Sequence, residues 1–450
     1  MNQQAFPQDF LFGAATSSFQ IEGATDVDGR SPSIWDQFCQ EEGRIADGSD
    51  GRRACEHYLR FRDDVALMHK LGLEAYRFSI AWPRVMPMGV GAINEKGLAF
   101  YDQLIDELLS RNIQPWITLY HWDLPACLGD QGGWLNRDIT QHFAEYAQKM
   151  VARLGDRVKN WITHNEPWCV ASLGYRQGEH APGLKDPRSG WIAAHHVLLS
   201  HGLGMKAMQS ERQDLNIGIT LNLTPAFAAS DSKADREATR RFDGSFNRWY
   251  LDPIFKGCLP VDMVPEVEEE CGGALDFIHN GDLALIQQKL DFLGINYYSR
   301  AIIRGDEQSE GQTSRTLHAD PADITDMDWE VSPDGLRELL LRLQRDYAPE
   351  ALYITENGAA YDDSPDAQGR IHDARRVRYL EKHARAMQEA LKQGVKLKGY
   401  FLWSLFDNFE WAYGYKKRFG MVWVDYETQT RLPKDSALWY RDLIQQRIIP

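Results

Sequence analysis

The segment VKNWITHNE, residues 158–166, decides the architecture. It is a short run rich in apolar and aromatic residues that ends on Asn165-Glu166 and stops at Pro167, which has no N–H to give to a strand ladder. Runs of the same kind recur upstream at 10–16, 73–82 and 113–122, and downstream at 215–223, 291–300, 351–356 and 398–405. Their near-continuous apolarity suits strands buried on both faces, as in a parallel sheet. Between them the period changes from two to that of a helix. Residues 54–71 space Ala54, Tyr58, Phe61, Val65, Met68 and Leu71 along one face, and residues 97–111 do so with Leu98, Tyr101, Leu104, Ile105 and Leu108. Residues 335–345 and 373–393 read as further helices. Eight strands alternating with helices, without a break in composition or a Pro/Gly/Ser-rich linker, predict an α/β chain folded as one closed (β/α)₈ barrel domain over residues 1–450. An open doubly wound sheet is the structural alternative. The polar stretch 305–328 reads as a surface excursion between the sixth and seventh strands.

Composition narrows the function. With 50 Lys+Arg against 65 Asp+Glu the net charge is −15, which repels phosphate backbones and anionic membrane surfaces but tolerates a neutral ligand. No apolar run reaches the ~20 residues needed to span a bilayer. Residues 1–8 have neither the basic nor the apolar part of a signal peptide. Six cysteines, without a CxxC pair, read as reduced thiols of a cytoplasmic protein. His195, His196 and His201 have no carboxylate or cysteine completing a metal set, and the stretches 129–133 and 202–204 are not phosphate loops, so neither metal nor cofactor is expected.

The reactive groups of such a barrel stand at the C-terminal ends of its strands. The fourth strand ends WITHNEP, residues 161–167, and the seventh LYITENG, residues 352–358, so each delivers a glutamate, Glu166 and Glu356, beside an asparagine. Strands four and seven lie across a small barrel from one another. Two carboxyls facing each other suit glycoside hydrolysis, where one protonates the leaving oxygen and the other attacks the anomeric carbon or activates water. Either glutamate alone reads as well as a capping or ion-paired residue; two at matching positions favour the catalytic reading. Arg77, on an apolar strand, requires a partner if buried.

The chain also resembles glycoside hydrolase family 1 from end to end. The segments carrying the resemblance are FLFGAATSSFQIEG (10–23), YHWDLP (120–125), THNEP (163–167), INYY (295–298), ITENG (354–358) and WSLFDNFEW (403–411). The resemblance implies a retaining β-glucosidase acting on terminal non-reducing β-D-glucosyl residues by double displacement, with small β-glucosides such as cellobiose or aryl glucosides as partners. It makes Glu166 the acid/base and Glu356 the nucleophile. Asn165 would meet the sugar 2-hydroxyl. Gln20, His121 and Glu410 would hold other hydroxyls, Trp403 would form a stacking floor and Trp411 would reach the 3-hydroxyl. Arg77 would keep Glu356 ionised, Tyr298 would bond the same carboxylate, and Asn296 would support the site. Trp168 and Trp329 would flank the leaving group. Taken alone, Gln20 reads as a surface polar residue, His121 as a satisfied buried histidine, and Trp403 and Trp411 as core.

Three rivals share the fold. A 6-phospho-β-glycosidase of this family carries serine where Glu410 stands and a phosphate clamp just downstream; no serine lies between Trp411 and Lys417. A non-catalytic sugar-binding barrel lacks one or both glutamates, and both are here. A transglycosylase shares every residue named. The residues leave open the balance among glucosides, galactosides and fucosides, and they carry no signal of oligomeric state.

Overall fold

A computed structural model describes residues 5–305 and 324–450. Eight parallel strands close into a barrel: β1 (Leu11–Ala15), β2 (Ala75–Ser79), β3 (Gln114–Tyr120), β4 (Asn160–Asn165), β5 (Asn216–Asn222), β6 (Phe292–Asn296), β7 (Leu352–Asn357) and β8 (Leu397–Trp403). Each falls within or against one of the eight expected runs. Closure is made by β1, which pairs β2 through Gly13↔Ala75 and β8 through Leu11↔Gly399 to Ala15↔Trp403. The open-sheet alternative is thereby set aside.

The strands are buried on both faces because two cores meet on them. Inside the barrel, Trp116 packs its ring 5.2 Å from Phe292, 4.7 Å from Tyr353 and 5.2 Å from Phe401, filling the lower barrel with side chains rather than solvent. Outside, helices lay apolar stripes on the sheet. The helix Glu95–Ser110 buries Leu98, Tyr101, Leu104, Ile105 and Leu108, the face its spacing predicts. The helix expected from residue 54 begins instead at His57, because Ala54 and Glu56 adopt left-handed φ of 47° and 51° and turn the chain first. The helices expected at 335–345 and 373–393 form as Pro333–Asp346 and Ala374–Lys392. Residues 306–323 of the expected excursion lie outside the described residues.

Irregular pairing towards the top of the barrel aims the site. Register shifts fall between Ile162 and Asn165 where β4 meets β5, between Ile295 and Asn296 where β6 meets β7, and, where β8 meets β7, between Leu397 and Gly399 and again between Tyr400 and Leu402. An extra residue in one strand re-aims the side chains beyond it, and three of the four shifts lie towards C-terminal strand ends. Glycine is required at Gly358, where a Cβ would stand 1.7 Å from the Trp403 carbonyl oxygen. The Trp403–Ser404 peptide is cis. Among the described residues, no helix is long and apolar enough to cross a membrane. His195 bonds Asp282 at 2.7 Å, His196 the Trp134 carbonyl at 2.9 Å and His201 the Thr163 hydroxyl at 2.7 Å.

Candidate active site

A cavity of about 1120 Å³ opens at the C-terminal end of the barrel. Glu166, Glu356, His121, Asn165, Asn296, Tyr298, Trp403, Glu410 and Trp411 all line it, as do Trp168 and Trp329. Four non-glycine lining residues, Glu166, Trp122, Asp328 and Trp411, have left-handed φ of 51°, 80°, 58° and 50°. That conformation is costly for side chains of this size and gathers at functional sites.

The two carboxyls are treated unequally. Glu356 receives Arg77 Nη1 on Oε1 at 2.7 Å and the Tyr298 hydroxyl on Oε2 at 2.6 Å. Arg77 is fully buried and spends its other donors on the Thr355 carbonyl (3.0 Å), Asn165 Oδ1 (2.7 Å) and Thr118 Oγ1 (3.1 Å). Among the described residues no cation is bonded to Glu166. It accepts from Asn296 Nδ2 on Oε1 at 2.7 Å and from the Cys169 thiol on Oε2 at 3.1 Å. Burial, and then the charge of Glu356, push the Glu166 carboxyl up to about 8. Burial raises Glu356 as well, but Arg77, Tyr298 and Asn296 all pull it back towards the ionised form. The pair therefore divides, with the shared proton on Glu166 and the charge on Glu356.

The Asn296 amide that reaches Glu166 also lies against Glu356, which brings the carboxyls close. A crystal structure is expected to place them about 5–5.5 Å apart; about 8 Å or more would mark inverting chemistry.

Asn165 ties the floor together. Its Oδ1 accepts from Arg77 and Asn296, so its Nδ2 must face His121 Nε2, at 3.0 Å. His121 Nε2 is then an acceptor and the ring proton sits on Nδ1, which is buried without a partner. Burial and the charge of Arg77 hold this imidazole well below its usual range, hence neutral. An orphaned N–H and a neutral ring suit a hydroxyl ligand. Oε2 of Glu410 is likewise buried and unpartnered, and burial with the charges of Glu356 and Glu166 pushes that carboxyl up to about 8. Trp403 stacks over His121 at 6.0 Å and 18°, while Trp411 packs on Trp35 and Trp122 at 4.5 and 4.6 Å.

This constellation stands in a chain whose whole length fits one family. The profile of Glycosyl hydrolase family 1 matches residues 2–448. The chain belongs to that family. Beta-glucosidase A of Acetivibrio thermocellus is 46% identical over 446 residues, covering 99% of each chain. The 1,4-beta-D-glucan glucohydrolase of Thermotoga neapolitana is 45% identical over 442 residues, covering 98% of each. A solved family 1 β-glucosidase from Thermotoga maritima superposes with a TM-score of 0.96 at 43% identity, covering both chains fully.

Gln20 bonds within the chain. It is fully buried rather than on the surface, and it does not line the cavity. Its amide donates to Asn408 Oδ1 at 3.0 Å and the Phe409 carbonyl at 2.8 Å, and its Oε1 accepts from Ser17 at 2.6 Å. It braces the segment carrying Glu410. Other residues were missed by the sequence reading. Trp122 lines the cavity and gives its indole N–H to the Asn165 carbonyl at 2.9 Å. Cys169 and Asn222 meet beside Glu166. The adjacency of Trp122 to His121 and the three-residue step from Glu166 to Cys169 were the available signals. Beyond Trp168, the cavity runs outward past Leu173, Arg241 and Phe246, and Phe246 packs 4.2 Å from Trp168.

Proposed function

We propose that this family 1 chain is a retaining β-glucosidase, a single catalytic domain that releases terminal non-reducing β-D-glucosyl residues, with Glu356 as nucleophile and Glu166 as acid/base. The observation that carries this reading is the unequal pair: an anion held by Arg77 and Tyr298 opposite a carboxyl that keeps its proton. Glu356 attacks the anomeric carbon as Glu166 gives its proton to the departing oxygen, leaving a glycosyl ester and an ionised Glu166. Esterified Glu356 carries no charge, so the proton affinity of Glu166 falls. Glu166 then takes a proton from water as that water attacks the same carbon, which frees Glu356 and restores Glu166. Two inversions give retention. In this reading Asn165, bonded to Arg77 and His121, meets the 2-hydroxyl.

Support for β-glucosides comes from the names of the relatives and from the neutral character of the ring-facing wall. Cellobiose and aryl β-glucosides fit a cavity with room beyond one sugar. A reducing, cytoplasmic setting belongs to the same reading, with all six cysteines as thiols.

Glu410 sets the choice against phosphorylated sugars. Burial and the neighbouring glutamates raise its carboxyl to about 8, favouring the protonated form. Two sugar hydroxyls donating to it favour the ionised form, and such charge-assisted bonds are worth about 1.5–3 kcal/mol each. A 6-phosphate dianion replaces one of those donors and sets like charge against the carboxylate that the remaining hydroxyl favours, so it loses one bond and gains repulsion. Purified protein should therefore hydrolyse p-nitrophenyl β-D-glucoside with little activity on its 6-phosphate. Glu410→Ser should lose about tenfold or more on the plain glucoside, matching one lost bond, and gain relatively on the phosphate. A panel of p-nitrophenyl β-glycosides with and without 6-phosphate tests this. Preference of the wild type for the phosphate would overturn the substrate assignment.

A further inference from the structure

Cys169 opens the wide helical segment Cys169–Gln177, three residues past Glu166, and its thiol comes round onto the same carboxyl. The two Glu166 oxygens meet different chemistry. Oε1 faces the Asn296 N–H, which can only donate, so a proton on that oxygen would clash with it. The mobile proton therefore belongs on Oε2, and Oε2 is the oxygen that Cys169 Sγ contacts at 3.1 Å. Sulfur itself is held from behind by Asn222 Nδ2, at 3.6 Å, from the end of β5. Cys169 is buried yet touches the cavity wall.

Resting on the acid/base reading of Glu166, we propose that Cys169 is a positioning residue for the proton-carrying oxygen: its thiol donates to Oε2 when Glu166 is ionised and accepts from it when Glu166 is protonated, with Asn222 fixing the sulfur. A fixed N–H in this place would oppose the protonated acid, and a methyl group would leave the ionised base unpartnered. A thiol both donates and accepts, so it serves both halves of the cycle, and its charge-assisted bond to the ionised carboxylate is the stronger of the two. The other charged and titratable groups facing Glu166 are Glu356 from β7, Arg77 from β2, Tyr298 beyond β6 and Glu410 from the segment after β8, with neutral His121 one amide away. All of them stay in place in a Cys169 variant, so a shift on substitution reports the thiol.

The test is the pH dependence of kcat/KM on an activated aryl glucoside. Cys169→Val removes a donor to the ionised form, so the basic limb should move up by about half a pH unit, a threefold rise in the proton affinity of Glu166. Cys169→Ser keeps a group that both donates and accepts, and its limb should stay at or below the wild-type position. Cys169→Ala gives the same reading as valine if valine does not fold. An unmoved limb in both apolar variants, or equal upward shifts with serine and valine, would overturn the proposal. Glu166→Gln, run alongside, separates the two claims: a basic limb that persists there removes the acid/base reading itself, whereas its loss with an unmoved Cys169→Val limb removes only the role of the thiol.

Discussion

Glu356→Gly is expected to lose at least about 10⁴-fold in kcat/KM, because no glycosyl ester can form without the carboxylate. The substitution also empties the space between Arg77 Nη1 and the Tyr298 hydroxyl, both of which donate into it. A small anion has a ready place there. Added azide should therefore restore turnover, attacking the anomeric carbon from the face the carboxylate used and giving an α-glycosyl azide in one inversion. The buried guanidinium left without its partner destabilises the fold by roughly 3–5 kcal/mol, so circular dichroism and a melting curve belong with the assay. A folded Glu356→Gly protein with near-native rates would remove Glu356 from the mechanism.

Arg77→Met should cost about 10²–10³-fold on every substrate, including activated aryl glucosides, and change the shape of the pH profile. Among the described residues the guanidinium is the one cation bonded to Glu356, and it pulls that carboxyl down against burial. Without it the Glu356 carboxyl rises, so a larger share carries a proton at any given pH. Activity needs Glu356 ionised and Glu166 protonated. The acid limb must then move to higher pH while the basic limb stays with Glu166, and the bell narrows from its acid side. Asn165 Oδ1 loses one of its two donors in the same variant, which loosens the 2-hydroxyl contact and adds to the loss. The profile of kcat/KM against pH checks this; an acid limb that does not move would mean that Arg77 acts through position alone.

Most of the barrel was legible because parallel strands covered on both faces write their burial directly into the sequence. The eight runs could be counted without knowing their pairing. What escaped depends on pairing or on backbone conformation. The helix start at His57 was missed because nothing in the composition of 54–56 announces two non-glycine left-handed residues. The register shifts before Asn165 and Asn296 arise only when two strands are laid side by side. The glutamates, Arg77 and Tyr298 were readable as types in the right places, and the structure brings Arg77 and Tyr298 within hydrogen-bonding distance of Glu356. The His121 tautomer was not readable. It follows from Arg77 and Asn296 both claiming Asn165 Oδ1, a conclusion that needs three strands assembled. Gln20 was legible as polar, but its burial and its grip on the Phe409 carbonyl come from the far end of the chain.

That last separation bears on how the molecule comes into being. Gln20 bonds Asn408 across 388 residues and Arg77 bonds Glu356 across 279. The first strand is flanked by the second and the last, so its outer edge stays bare until residues 397–403 have been made. During synthesis, successive strands and helices can collapse onto one another as they emerge, but the first strand waits with one ladder unfilled until the end. Arg77 likewise waits for Glu356 through most of translation, although Thr118 and Asn165 are made sooner. Site and closure are completed together: a nascent chain halted before its eighth strand has an open sheet edge and lacks Trp403, Glu410 and Trp411 of the cavity wall.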